Sequence, residues 1–421
     1  MKEKNNLQEK MQTVLFPILR CLKWVLLAVL LGTVIGAASS VFALGLQKVT
    51  DLRVQHGQIV LALPLLGLII AFFYKKCLGE DGGTNLVLAD IHAREQVPAI
   101  MAPLIAVSTL LTHLGGGSAG REGAALQLGG SLGNTLAKLF RLDAEDSRVA
   151  VMCGMSAAFA AVFGTPMAAA VFSLEVASVG IMYYTALLPC VLSALIGSRF
   201  SAGMGISPEN FHITDIPAFD LLPALKILLL AALCAGVSAL LCKVLHAGGH
   251  LSKKYIRDPY LRIAAGGILL AAVTLIRGNQ DFAGASVGLI ERAMEGETEW
   301  YFFLLKMVLT AVTIGCGYKG GEIVPTFCVG ATFGCMMGQL LGLSPSLCAA
   351  CGMSALFCGA TNCPISSLLI SFEMFGYGAM PYFLISVAVS YYLSGYYGLY
   401  KEQTIVYSKY KTKYINRKTA E

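Results

Sequence analysis

Long uncharged apolar runs limit this chain to very few folds. Residues 24–46, 58–74, 149–172, 221–242 and 300–316 are almost free of charged side chains. Runs of that length are read as membrane helices, because a spanning segment must satisfy its own backbone hydrogen bonds away from water. Composition agrees: 13% of the 421 residues are charged and 56% are hydrophobic, against about 25% charged in an ordinary soluble domain. With the shorter runs between them, ten or more membrane-embedded segments are expected, in an all-α polytopic membrane protein. The 45 glycines suit helices that approach closely or break.

The formal net charge of +6 is unevenly placed. Lys2, Lys4 and Lys10 lie at the start, and Lys401, Lys409, Lys411, Lys413, Arg417 and Lys418 crowd the end. Excess lysine and arginine marks the cytoplasmic side, so both termini are expected inside. The same charges could form an arm for anionic lipid or nucleic acid, but the topogenic reading is simpler and no nucleic-acid partner is expected. No cleavable signal peptide is read at the start. The thirteen cysteines fall mostly in apolar segments and read as small hydrophobes. Cys348 and Cys351 form a single C-x-x-C, and His246 and His250 an i, i+4 pair; neither carries a metal-site expectation.

The chain also repeats itself. CGMSAAFAAVFGTPMAAAVFSLEV (153–176) aligns without gaps on CGMSALFCGATNCPISSLLISFEM (351–374), with nine of 24 positions identical. Gly154 pairs with Gly352, Pro166 with Pro364 and Glu175 with Glu373. Upstream, 117–133 faces 317–334, which sets Glu122 opposite Glu322. Repeated halves with short Gly/Pro-interrupted helices predict a transporter whose site lies where the repeats meet. The expected layout is an N-terminal segment 1–13, a first membrane half 14–200, a linker 201–220, a second half 221–405 and a basic cytoplasmic tail 406–421.

Helices that start inside a membrane expose backbone N–H groups and the positive end of a dipole, so several aimed at one point bind an anion. Three such starts are predicted: Gly82-Gly83-Thr84-Asn85-Leu86, Gly120-Arg121-Glu122-Gly123 and Gly321-Glu322-Ile323-Val324-Pro325. Glycine lets the ion approach the amides closely. A carboxylate at such a start competes with the permeant anion, and protonation releases the site. Glu122 is therefore the candidate that exchanges protons against anions, since an intramembrane acid is a functional candidate by default. Placement in an aqueous loop is the bland alternative. Arg121 is read as a structural partner.

These residues resemble the CLC family of chloride channels and proton-coupled anion exchangers. GREGA (120–124 with Ala125 following) is similar to the family's G-[RK]-E-G-P, GGEIVP (320–325) to G-x-F-x-P, and GTNLV (83–87) lies where the family has G-S-G-x-P. GLYKEQ (398–403) matches the late segment that carries a pore tyrosine. The likeness spans roughly residues 14–405. It implies a CLC-type inverted repeat of tilted and broken helices, and a homodimer with one pathway per subunit in a bacterial-type inner membrane. It implies that Glu122 is the gating glutamate and that Thr84, Asn85, Gly123, Ile323, Val324 and Tyr400 surround the anion. The nearby tyrosines 391, 392, 396 and 397 leave an interfacial role open for Tyr400.

The departures are informative. GSAGREG with GGEIVP is most similar to the bacterial fluoride/proton antiporter branch, yet Thr84 and Val324 differ from that branch's usual residues, so fluoride and chloride both stay open. Val176 occupies the place of the internal proton-transfer glutamate of chloride exchangers, which suits either the fluoride branch or a passive channel. Glu322 is a candidate second carboxylate, with a helix-capping acid as its plainer reading. No P-loop or ATP site is read, and paired nucleotide-binding modules after residue 405 are not expected, so ion gradients would supply the energy. The resulting expectation is a proton-coupled halide antiporter with no cofactor, a passive anion channel being the alternative. An intramembrane serine protease built on Ser156 or Ser354 with His92 or His113 lacks a nucleophile turn.

Overall fold

The computed structural model describes residues 2–79, 83–92 and 96–419, with side chains of the first helix described from residue 15. Among these residues the chain forms sixteen α-helices, eight on each side of residue 204. The first half holds α1 (Lys2–Gln55), α2 (Leu63–Cys77), α3 (Gly83–Ile91), α4 (Met101–Leu114), α5 (Glu122–Leu139), α6 (Ala144–Phe163), α7 (Pro166–Glu175) and α8 (Leu187–Gly203). The second holds α9 (Leu221–Tyr255), α10 (Pro259–Arg277), α11 (Val287–Met294), α12 (Phe302–Cys316), α13 (Ile323–Leu341), α14 (Pro345–Thr361), α15 (Pro364–Phe375) and α16 (Met380–Leu393). Among the described residues seven stretches of helix are long and apolar enough to cross a membrane, and six shorter apolar helices accompany them. Large side chains such as Leu26, Leu65, Leu229 and Ile268 are exposed around the outside, as a lipid-facing surface requires.

The repeat read from the sequence is local structure as well. Asp143 caps α6 by accepting from Asp146 N at 2.8 Å, and Ser344 caps α14 by accepting from Leu347 N at 3.4 Å. Both helices end on a left-handed residue, Gly164 (φ +80°) and Asn362 (φ +59°). A proline two residues later, Pro166 or Pro364, opens the next short helix. In each half the helix after the break packs on the one following it through bare backbone. Gly129 meets Gly154, and Gly330 meets Gly352, so closely that a Cβ on any of the four would overlap a carbonyl. Without a hydrophobic driving force between helices in lipid, such close approach is what holds them together.

The halves are joined at the centre by a run of rings. Phe163 stacks on Phe327 at 5.7 Å, Phe327 lies 5.0 Å from Phe357, and Phe357 lies 5.8 Å from Phe172. These rings come from α6, α13, α14 and α7, so the first and last contacts cross from one repeat to the other and the middle one links α13 to α14. Such pairs contribute about 0.5–1.5 kcal/mol each beyond burial.

Part of the segment read as a basic tail is folded. Thr404–Tyr407 (β2) pairs in parallel with Ser178–Val179 (β1) and antiparallel with Tyr414–Lys418 (β3). The helical architecture therefore carries one small three-stranded sheet. Thr419 returns to the loop before β2, donating through its hydroxyl to Tyr400 O at 2.7 Å. Lys409 donates to Tyr391 O and Ser394 Oγ, both at 3.1 Å. The segment thus ties down the loop that carries Tyr400. Between the halves, residues 204–220 hold no helix or strand.

Candidate functional site

The two broken helix starts meet back to back. Gly120 N donates to Gly321 O at 2.7 Å and Gly321 N to Gly120 O at 2.8 Å, a single antiparallel bridge between the repeats. α5 and α13 leave this bridge from Glu122 and Ile323. Only glycine permits it: a Cβ on Gly123 would lie 2.8 Å from Gly321 Cα. The fourth residue of each turn closes the first helical bond, Ala125 N to Arg121 O at 2.9 Å and Thr326 N to Glu322 O at 3.0 Å. The amides before it are the ones a helix leaves unpaired at its start. Pro325 removes one of them from α13.

Glu122 is fully buried, and its carboxylate folds back over the start of its own helix. Oε2 accepts from Arg121 N at 3.1 Å and Oε1 from Arg121 Nε at 3.3 Å. The far side of the guanidinium, Nη2, donates to Glu209 Oε1. Arg121 is thus a bridge between the glutamate and the segment joining the halves. Glu209 is in turn placed by its backbone, whose N–H reaches Phe163 O at 3.5 Å.

Glu322, the counterpart of Glu122, faces the opposite way. It is only partly buried and lines a cavity of about 950 Å³ that Glu122 does not touch. The point where Gly123 would carry a Cβ lies 3.4 Å from Glu322 Oε2 and 3.7 Å from Thr84 Oγ1. Gln127, one turn into α5, donates from Nε2 to Thr84 Oγ1 at 3.1 Å, while its Oε1 is buried without a partner. Tyr400 is 2% exposed and its hydroxyl has no hydrogen-bond partner in the protein. An unpartnered buried hydroxyl costs about 1–3 kcal/mol, so its place in a cavity wall points to something that bonds to it there. Thr84, Asn85, Gln127, Glu322 and Tyr400 all belong to that cavity wall.

Toward its mouth the same cavity is lined by Lys75, Lys253, Arg257, Arg262 and Lys401. Glu402 also lines it, paired with Lys418, so the cations are in excess, and an excess of one sign in a cleft concentrates ions of the other. Lys75 and Lys253 end α2 and α9, Arg257 follows α9, Arg262 begins α10 and Lys401 follows α16, at the same end of the bundle where α1 starts. Arg20 and Lys23 of α1 pair there with Asp146.

Of the predicted site residues, Thr84, Asn85, Glu322 and Tyr400 are brought to one cavity, and Gly123, Ile323 and Val324 are buried at the helix starts beside it. Gly82, at the start predicted before α3, lies outside the described residues. Asn85 uses its carboxamide oxygen to accept from Glu402 N at 3.2 Å, so that atom holds the Tyr400 loop. Val176 is buried, and its carbonyl accepts from Gln403 Nε2 at 2.9 Å. Ser156 donates to Cys190 O, and Ser354 bonds to Ala350 O and Ser371, so neither hydroxyl contacts a histidine. The cysteines are all free, and no cluster of metal-ligating side chains occurs among the described residues.

The model of the voltage gated chloride channel family matches residues 66–395, most of the chain. The protein belongs to the CLC family of voltage-gated chloride channels. A chloride/fluoride channel protein of Pseudomonas syringae pv. tomato is 35% identical over 398 residues, covering 92% of this chain and 88% of its own length. The crystal structure of a CLC-type fluoride/proton antiporter superposes with a TM-score of 0.86 at 32% identity, covering 90% of this chain and 97% of that one. A slow cyanobacterial Cl⁻/H⁺ antiporter shares the fold, with a TM-score of 0.78 at 17% identity over 88% of this chain and 94% of its own.

Within this CLC chain, sequence reading passed over Glu209, Gln127 and Lys306. Glu209 lies 88 residues from its partner Arg121 in an irregular segment, and nothing local announces it. Lys306 did carry a signal: it is the one charge in the apolar run 300–316.

Proposed function

We propose that this CLC protein is a proton-coupled halide antiporter that exports fluoride in exchange for protons, with Glu122 as gate and proton carrier. The observation that carries the reading is the bridged pair of helix starts. One carboxylate, Glu122, covers the amides of α5, and a second, Glu322, stands on the cavity side of the same glycine contact. A protonated Glu122 loses its attraction for Arg121 N–H and the helix end, which leaves those donors to a halide. Deprotonation draws the side chain back and expels the ion, so proton and anion alternate at one place.

Fluoride is small and strongly hydrated, and it needs short hydrogen bonds to replace its water. Thr84 Oγ1, the Tyr400 hydroxyl and the first-turn amides of α5 and α13 supply donors around Gly123. Glu322 offers a proton acceptor at this point, which suits a chain whose residue 176 is valine and whose Glu175 is committed to two backbone amides elsewhere. The names of the compared relatives, which include chloride/fluoride and fluoride/proton transport, support the same class.

The working unit is proposed as a homodimer in a bacterial-type inner membrane, with the basic vestibule and both termini on the cytoplasmic side. Positive residues at the vestibule end support that orientation. A test uses protein reconstituted in liposomes, with halide efflux and pH recorded together. Fluoride efflux that drives proton movement the opposite way is the expected result. Efflux of fluoride or chloride with no proton movement would replace the reading by a passive anion channel, the alternative that Val176 permits.

A further inference from the structure

At the end of the bundle opposite the vestibule, three basic side chains are buried around Gly284. Lys306 is fully buried one turn into α12, Arg53 is 3% exposed in the last turn of α1, and His113 is 4% exposed in the last turn of α4. Among the described residues no carboxylate pairs with any of them. That is a costly arrangement inside a membrane protein, where buried charges normally pair or mark an ion route.

The three are not satisfied alike. The Lys306 ammonium is fully used, donating to Gly284 O and Ser286 Oγ at 2.8 Å and to Ser118 Oγ at 2.9 Å. It clamps the 282–286 loop to the segment that leads into Gly120 and Glu122. Its charge, though, is only solvated by these dipoles and not cancelled. Arg53 is the reverse: Nε and Nη1 are buried with no acceptor. His113 donates from Nδ1 to Thr109 O at 2.9 Å, which leaves Nε2 buried and unpartnered.

There is also room between them. A Cβ on Gly284, were it present, would have as its nearest neighbours Arg53 Nη2 and His113 Cδ2, both 3.6 Å away. Gly284 (φ +63°) therefore leaves the approach between the guanidinium and the imidazole edge without a side chain. Two uncancelled positive charges and unused buried N–H donors, gathered beside a residue with no side chain, have one chemical complement.

We infer that Arg53, His113 and Lys306 form a second anion site that holds one halide at the end of the pathway opposite the vestibule. Arg53 donates to the ion, Lys306 supplies the field and fixes the loop, and His113 Nε2 donates when its ring carries a proton. The site stands apart from Glu122, and it applies whether the transported halide is fluoride or chloride and whether or not protons are coupled.

Crystals of the full-length protein soaked in sodium bromide test it by anomalous diffraction. A bromide peak beside Gly284, in contact with the Arg53 guanidinium and absent in Arg53→Gln, is the expected result. In liposomes, Arg53→Gln should raise the halide concentration for half-maximal transport from that side about tenfold, the loss of one charge-assisted hydrogen bond. Half-saturation from the vestibule side should stay put, and Arg53→Lys should recover most of the effect. Water density in place of bromide in the wild type, which needs no variant to fold, would overturn the site. So would a peak that survives in Arg53→Gln, or a half-saturation that does not move. Loss of proton coupling in the wild type would count against the antiport reading alone.

Discussion

The molecule contains two pairs of broken helices, and they end differently. In the pair α7 and α15, each start is closed by a carboxylate from the far end of the other. Glu373 accepts from Met167 N and Ala168 N at 2.9 and 2.8 Å. Glu175 accepts from Ile365 N at 3.2 Å, Ser366 N at 2.9 Å and the Ser366 hydroxyl at 2.5 Å. In the pair α5 and α13 no such exchange occurs. Their glycines bridge to each other, Glu122 folds over its own helix, and Glu322 turns toward the cavity. A helix start that receives a fixed anion from the protein is a structural joint. One whose only anion is a carboxylate folded over its own helix is, on the proposed reading, an exchangeable site. The same residue type at two points in the repeat therefore plays two different parts.

The contrast is broken most directly at Glu122. Glu122→Gln keeps the shape and removes the charge, and proton movement should fall to background while a halide leak remains. Glu322→Gln, on the cavity side, should slow proton movement without abolishing it. Parallel pH and fluoride-electrode records of liposomes check both. Proton flux persisting in Glu122→Gln would mean that the exchangeable acid lies elsewhere.

Next in size is the closed pair. Glu175→Ala leaves two backbone amides and a buried hydroxyl unsatisfied, at a cost of about 2–4 kcal/mol. A markedly lower melting temperature in detergent is expected, with coupling unchanged in the protein that stays folded. Glu373→Ala should cost less, about 1–2 kcal/mol, because the α7 start it caps is partly open, with Met167 exposed. If Glu175→Ala kept its stability but lost proton coupling, α7 and α15 would belong with the site and the distinction would fail.

Much of this was legible in the chain itself. Apolar runs dictate helices, the GTP and NCP steps mark where short helices restart, and the glycines beside Glu122 and Glu322 mark helix starts. In the sequence those glycines read as making room for an ion, whereas the structure uses them to bring two backbones together. What stayed hidden depends on pairs far apart in sequence. That Glu175 and Glu373 occupy equivalent positions is visible in the alignment. That each caps the other's helix needs the antiparallel placement of α7 and α15, which no local pattern encodes. The Arg121–Glu209 bridge is hidden for the same reason. β2 escaped notice because a four-residue strand next to a basic stretch carries too little periodicity to separate it from a tail.

The mildest test asks whether the open pair truly shares its site with the Tyr400 loop. Tyr400→Phe removes only a hydroxyl that bonds to nothing in the protein, so stability should hold steady or rise slightly. If that hydroxyl bonds the halide, its loss should weaken halide binding by about 1 kcal/mol, or roughly fivefold, with coupling retained. Proton and halide would slow together if, as proposed, the ratio is set at Glu122 and not at the loop. Halide titration of the purified protein reads the affinity, and the liposome records read the ratio. An unchanged affinity would place the anion nearer to Thr84 and the amides of α13, and Tyr400 would then act by shaping the wall.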